Sequence, residues 1–199
     1  MRSAIEGFVH EGGPCEILLT AAGLARPGHF LDLEDEVFRS MIEVDYFGTL
    51  HAIRTVAPGM VARGRGSIVA VSSGTALLGF FGYTAYAPAK FAVRGLMEAL
   101  RSELAPTGVH VGCVFPPDVD TPQLAEENLY KPAETAAISG SVKPITAQKV
   151  AKGILRAIER ERYAVYADPG IATLSGLAPL LAPVVRRYTD RQVRAIRRR

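Results

Sequence analysis

"SIVAVS", residues 67–72, is an apolar run of four residues bracketed by serines. It is too short for a helix, shows no alternation of polar and apolar positions, and is rich in β-branched residues. A strand buried on both faces reads this way. A loop carrying Gly74, Gly79 and Gly82 follows, then a helical pattern from about Thr84 to Ala105 closed by "PTG". "VHVGCVF" (109–115) is a second run of the same kind, so the centre of the chain is a strand–helix–strand unit. Working outward, "EILLT" (16–20) is a short apolar run consistent with a buried strand, preceded by a helix over residues 2–10 that stops at Gly12 and Gly13. Between them a long helix is expected to about Ala62, with Asp32 as N-cap, Asp35 three residues on and a disturbance at Pro58. Residues 116–145 read as a long loop with short helices; Thr146 caps "AQKVAKGILRAIERE", and "YAVYA" (163–167) is a further strand. Strands alternating with long helices predict an α/β domain with a doubly wound parallel sheet. No repeat or linker divides it, so a domain over residues 1–170 and a tail over 171–199 are expected.

The 199 residues suffice for one real core, and 48% apolar with 22% charged residues is a globular composition. The net charge of +3 is uneven: "RRYTDRQVRAIRRR" (186–199) alone carries +6, leaving the rest at −3. A nucleic-acid surface needs basic residues across a folded face, so no nucleic-acid partner is expected. Cys15 and Cys113 lie in apolar runs and are expected to be buried thiols in a reducing compartment. The four histidines show no ligand spacing, and no metal site is expected. "MRSAIEGFVHEGG" lacks the apolar centre of a signal peptide, which leads to a cytoplasmic expectation.

Ligands of open α/β sheets bind beyond the carboxyl ends of the strands. Three such ends carry chemistry here: "TAAG" (20–23), Ser72 and Ser73, and "PPDVDT" (116–121). In "YTAYAPAKFA" (83–92), Tyr86 and Lys90 stand four apart on one helical face, about one turn from each other. Alone, that pair arises readily by chance. With Ser73 thirteen residues before Tyr86 on a Gly-rich loop, a hydroxyl, a phenol and an ammonium can meet at one crevice.

"TAAG" (20–23), "VAVSSG" (69–74), "YAPAK" (86–90) and "FPPDVDT" (115–121) follow the order and spacing of the short-chain dehydrogenase/reductase family. The resemblance covers about residues 1–168. Within that family, "GFFGYTAYAPAKFAVRGLMEALRSEL" and "PPDVDTPQLAEENLYKPAET" resemble the 3-ketodihydrosphingosine reductases. What the resemblance implies is a Rossmann-like fold and an NADPH-dependent reduction of a long-chain lipid ketone, or of another hydrophobic ketone. Tyr86 would be the general acid, Ser73 a hydrogen-bond donor to the carbonyl oxygen, and Lys90 the group that lowers the Tyr86 pKa and holds the nicotinamide ribose. Ala22, Gly23, Pro116, Val119 and Thr121 would complete the cofactor contacts, together with Tyr86 and Lys90. A homodimer through the two long helices is also implied.

The chain departs from the family pattern at two places. Asp45, in "VDYFG", takes the position of a catalytic asparagine. An ionised aspartate accepts but does not donate hydrogen bonds, and its charge opposes any lowering of the Tyr86 pKa. Either Asp45 still accepts from a relay water, or the position serves through its backbone. Thr20 and Ala21 stand where the family carries asparagine. No Gly-rich turn of the kind that holds a pyrophosphate is found. The first β-α-β units are therefore expected to be absent and Met1 to be an internal start. The alternative is a non-catalytic fragment that binds lipid or a partner. "EILLT" would then be an exposed apolar edge. In the tail, "IATLSGLAPLLAPVV" (171–185) is shorter than a membrane span and precedes Arg187, Arg191, Arg194 and Arg198 on one helical face. Contact with an anionic membrane surface is one expectation; a helix packed on the domain or a partner is the other.

Overall fold

The computed structural model describes residues 2–139 and 143–198; residues 140–142 of the expected loop lie outside them. Helix α1 (Arg2–Gly12) leads into strand β1 (Ile17–Thr20). Helix α2 (Asp35–Met41) continues through a π-helical turn, Ile42–Phe47, into α3 (Gly48–Arg63). Strand β2 (Gly66–Val71), helix α4 (Tyr86–Leu104) and strand β3 (Val109–Val114) form the central unit. Then come β4 (Val119–Asp120), α5 (Pro122–Asn128), α6 (Ala133–Ser139), β5 (Ile145–Thr146), α7 (Ala147–Glu159), β6 (Ala164–Val165) and α8 (Pro169–Arg197).

The main sheet has the order β1-β2-β3-β6 and every pairing in it is parallel, with Leu18 opposite Ile68 and Ile68 opposite Val111. Successive side chains of a strand point to opposite faces, and the core divides accordingly. Ile68, Ala70, Val111 and Cys113 pack on Ile53, Val56 and Met60 of α3 and on Val93 and Met97 of α4. Val69, Val114 and Val165 face the other way, onto Val150, Ile154 and Ala157 of α7. Full burial of each such aliphatic side chain contributes about 1.5–3 kcal/mol, and that is what holds helices to both faces. The α7 residues recur at helical spacing, and Thr146 starts the helix as expected, its hydroxyl accepting from Lys149 N. Gly108 (φ +76°) turns the chain into β3 where its Cα abuts the backbone of Gly64; a Cβ there would collide with the Gly64 carbonyl.

Four expectations change. Asp32 does not cap the first long helix: α2 begins at Asp35, and Glu34 precedes it without a side-chain cap bond. The helical irregularity lies at Ile42–Phe47, and α3 runs on through Pro58. Strand β1 is not the buried strand its apolar run alone suggests but the exposed apolar edge expected once the first units are absent: among the described residues it pairs only with β2, and its alternate residues Ile17 and Leu19 are 53% and 43% exposed. Cys113 is buried, but Cys15 is half-exposed, its thiol donating to Ile17 O.

Helix α8 begins on the core, where Ile171 and Leu174 pack, and bends by 113° between Pro169–Leu177 and Leu180–Arg197. Its far end returns to the domain: Arg197 Nε lies 3.2 Å from Glu134 Oε1 of α6. Arg187, Arg191, Arg194 and Arg198 are exposed. Among the described residues, no single helix is long and apolar enough to cross a membrane.

Candidate active site

The carboxyl ends of β1, β2 and β3 open onto one cavity of about 460 Å³. Ser73, Tyr86, Lys90, Gly23, Pro116, Val119 and Thr121 all line it, so the structure brings together most of the residues singled out by sequence. Ala22 is exposed and does not line it, and Asp45 lies just behind the wall.

Local structure explains each placement. Beyond β2 the chain turns at Ser73, whose hydroxyl accepts from Thr75 N (3.2 Å) and caps the 3-10 turn Gly74–Ala76. An oxygen that accepts in the turn keeps its own proton free to donate. Gly74 N donates to Pro116 O (2.9 Å), tying the β2 and β3 ends together. Both serines line the cavity, but the Ser72 hydroxyl donates to Lys90 O (2.9 Å) and is engaged there, whereas Ser73 keeps its proton for the cavity. Tyr86 opens α4, and Lys90 follows one turn later with its Nζ 5.5 Å from the Tyr86 ring centroid. The Thr121 hydroxyl is engaged locally, donating to Val119 O and accepting from Leu124 N at the start of α5.

Lys90 and Asp45 form a buried ion pair at 3.5 Å, with the two residues 4% and 0% exposed. Asp45 Oδ1 also accepts from Leu24 N (2.9 Å), and Lys90 Nζ reaches Val71 O at 3.4 Å. It is the carboxylate of this position that meets Lys90 and Leu24 N in the structure. Desolvation pushes the Asp45 carboxyl up and the Lys90 ammonium down; each partner acts on the other in the opposite sense. Gly23 is required by this pair: a Cβ there would lie 2.7 Å from Asp45 Oδ1 and 3.1 Å from Lys90 Nζ. Asp45 Oδ2 and the Thr20 hydroxyl are buried without a hydrogen-bond partner, Thr20 being the position where the family asparagine would stand.

The Tyr86 phenol lies above its ordinary pKa in this structure: burial raises it, the nearby Ser73 hydroxyl opposes, and the charges of Asp45, Glu127 and Asp118 add to the rise. Lys90, with its Nζ 5.5 Å from the Tyr86 ring centroid, is paired with Asp45.

One group of cavity residues escaped the sequence reading: Tyr83, Asp118 and Glu127, linked through Lys131. The signal that could have found them is the Glu127–Lys131 spacing of four across the end of α5, with Lys131 just beyond the helix.

The donor set on the cavity wall (an ammonium, a phenol, a serine hydroxyl and free backbone at Gly23) suits the ribose and carboxamide end of a nicotinamide. Nothing among the described residues forms the Gly-rich turn at a helix N-terminus that a pyrophosphate would use. Among the described residues no group of His, Cys, Asp and Glu is arranged to hold a metal ion.

The sequence matches the family model described as short chain dehydrogenase over residues 1–131. The chain belongs to the short-chain dehydrogenase family. It is 42% identical over 183 residues to a curated 3-ketodihydrosphingosine reductase of Dictyostelium discoideum, covering 91% of this chain and 55% of that protein. It is 38% identical to a 3-dehydrosphinganine reductase of Danio rerio, with 92% of this chain and 55% of that one covered. The chain thus spans about half the length of the curated relatives it matches. A solved short chain dehydrogenase of Burkholderia cenocepacia, in complex with NADP, superposes with a TM-score of 0.75 at 26% identity over 96% of this chain and 76% of that one.

Proposed function

We propose that this chain is the catalytic part of an NADPH-dependent ketone reductase that converts 3-ketodihydrosphingosine to dihydrosphingosine. The observation that carries the reading is the convergence of Ser73, Tyr86 and Lys90 on one cavity, in a chain at least 38% identical to reductases of that name over nine-tenths of its length. The NADP in the related solved structure supports the choice of cofactor.

When bound, the nicotinamide would supply hydride to the carbonyl carbon. Ser73 donates a hydrogen bond to the carbonyl oxygen and fixes its place. Tyr86, kept protonated by its buried surroundings, gives its proton to that oxygen as negative charge develops there. Lys90 and Asp45 hold the floor beneath the phenol, and Lys90 is the group positioned to meet ribose hydroxyls. The apolar part of the cavity, with Phe80, Leu124 and Ile154 in its wall, takes a hydrocarbon chain. A membrane-associated lipid substrate fits the exposed arginines of α8, and exposed Val61 and Phe91 on α3 and α4 support pairing of two copies.

NADPH consumption by the purified protein with 3-ketodihydrosphingosine is the test. Saturable turnover that weakens as the ketone's chain is shortened is the expected result; a folded protein that binds NADPH yet leaves this ketone unreduced would sink the reading. A folded chain that fails to bind NADPH would assign the phosphate site to residues outside this sequence.

Asp45→Asn gives a separate check with a defined sign. Alcohol oxidation requires the Tyr86 phenolate, so its rate rises with pH as Tyr86 ionises. The Asp45 charge raises the Tyr86 pKa. Removing it is expected to move the rising limb of the oxidation profile to lower pH; a shift to higher pH would contradict this electrostatic account.

A further inference from the structure

The chemistry assigned to Ser73, Tyr86 and Lys90 leaves a second polar cluster in the cavity unused. The Tyr83 hydroxyl donates to Glu127 Oε1 at 2.5 Å. Lys131 Nζ lies 3.2 Å from that same oxygen and 3.2 Å from Asp118 Oδ2. Tyr83 and Glu127 are buried, 7% and 8% exposed, and the Lys131 side chain is 6% exposed. Tyr83, Glu127 and Asp118 all belong to the cavity wall.

Two features make this more than a structural ion pair. The contacts of Glu127 with Tyr83 and Lys131 both fall on Oε1, which leaves Oε2 as the oxygen available to a ligand. A buried carboxylate with an unused oxygen on a cavity wall is a prepared acceptor. The formal charges also fail to balance: two carboxylates share one ammonium, and while Asp118 is 35% exposed and screened by solvent, Glu127 is buried on a mostly apolar wall, where a second cation would be favoured. The cluster lies beside the reacting centre, since the Tyr83 and Tyr86 rings are 5.9 Å apart between centroids.

We propose that Glu127, with Asp118 behind it, binds an ammonium group carried close to the substrate's carbonyl, so that the site selects amino ketones over neutral ketones of equal chain length. This rests on the reductase reading above and assigns residues to a part of the substrate which that reading leaves without a partner. Tyr83 and Lys131 orient the Glu127 carboxylate through Oε1 and leave Oε2 to face the ligand. The cation does a second thing on arrival. Glu127 and Asp118 both push the Tyr86 phenol upward, and a bound ammonium offsets their charge as the carbonyl reaches the proton donor.

Binding of octylammonium and of octanol to the 199-residue chain, measured by calorimetry, tests this without requiring turnover. The ammonium is expected to bind about 10–100-fold more tightly, the range of a charge-assisted hydrogen bond. In Glu127→Gln the two ligands should come within about threefold of each other. Equal binding by the native chain, or an unchanged preference in Glu127→Gln, overturns the proposal. Should Glu127→Gln fail to fold, Asp118→Asn, whose side chain is 35% exposed, takes its place with a partial loss of preference expected and an unchanged one counting against it. A retained ammonium preference in a protein that reduces no sphingoid ketone would instead remove the reductase reading and leave the ammonium site standing.

Discussion

Tyr86→Phe is expected to lower ketone reduction by about 10²–10⁴-fold, the range that a positioned general acid contributes. The substitution removes one oxygen and leaves the ring that packs beside Tyr83 and beneath Lys90. Among the described residues no backbone group bonds to the phenol, so the fold should persist and cofactor binding should change little. Single-turnover reduction measured beside an NADPH titration separates the two effects. Activity within tenfold of the native protein would remove Tyr86 as the acid and leave Ser73 or solvent to supply the proton.

Lys90→Met is expected to cost both activity and stability. Methionine fills most of the volume of the lysine stem but leaves the Asp45 carboxylate buried with Leu24 N as its remaining partner. Breaking a buried pair from one side typically costs about 3–5 kcal/mol. For a chain of this length that lowers Tm by roughly 6–20 °C. The sign with pH follows from the direction of the Asp45 shift. Its folded pKa already lies above the ordinary 3.8, and losing Lys90 raises it further. The deficit should therefore vanish below that ordinary value and grow as pH rises past it. Lys90→Met combined with Asp45→Asn should recover most of the loss, because the unpaired charge is then gone. A deficit that ignores pH, or that survives the double substitution, would assign the cost to packing.

Local chemistry decided which parts of the molecule were legible in the sequence. "SIVAVS" and "VHVGCVF" become β2 and β3 because a strand buried on both faces has no polar residue to place. Thr146 reads as a cap because its hydroxyl bonds three residues on. Tyr86 and Lys90 read as a pair because helical spacing alone brings them together. Pairings across the fold were opaque. Asp45 and Lys90 meet because two helices cross, and no pattern along the chain records the crossing. The same holds for Tyr83 and Glu127, which stand 44 positions apart. Asp32 misled because a lone acidic residue before a helix matches the cap pattern, while Glu34 enters α2 in extended backbone with no side-chain bond. Strand β1 was legible only in two steps: its apolar run alone reads as a buried strand, and the missing neighbours turn that reading into the exposed edge that Ile17 and Leu19 form.

The π-helical turn at Ile42–Phe47 acts as a phase shifter in what would otherwise be one continuous helix. An α-helix advances about 100° per residue, so a wider turn offsets the faces on either side of it. Met41, ahead of the turn, is buried against Ala85 and Ala89 at the start of α4. Ile53, Val56 and Met60, beyond it, are buried against the sheet. Asp45 sits inside the turn and is carried inward to Lys90. Restoring ordinary helical rotation would leave either the α4 contact or the sheet contact facing solvent. The irregular turn is thus what lets a single helix serve the core and the buried Asp45–Lys90 pair together.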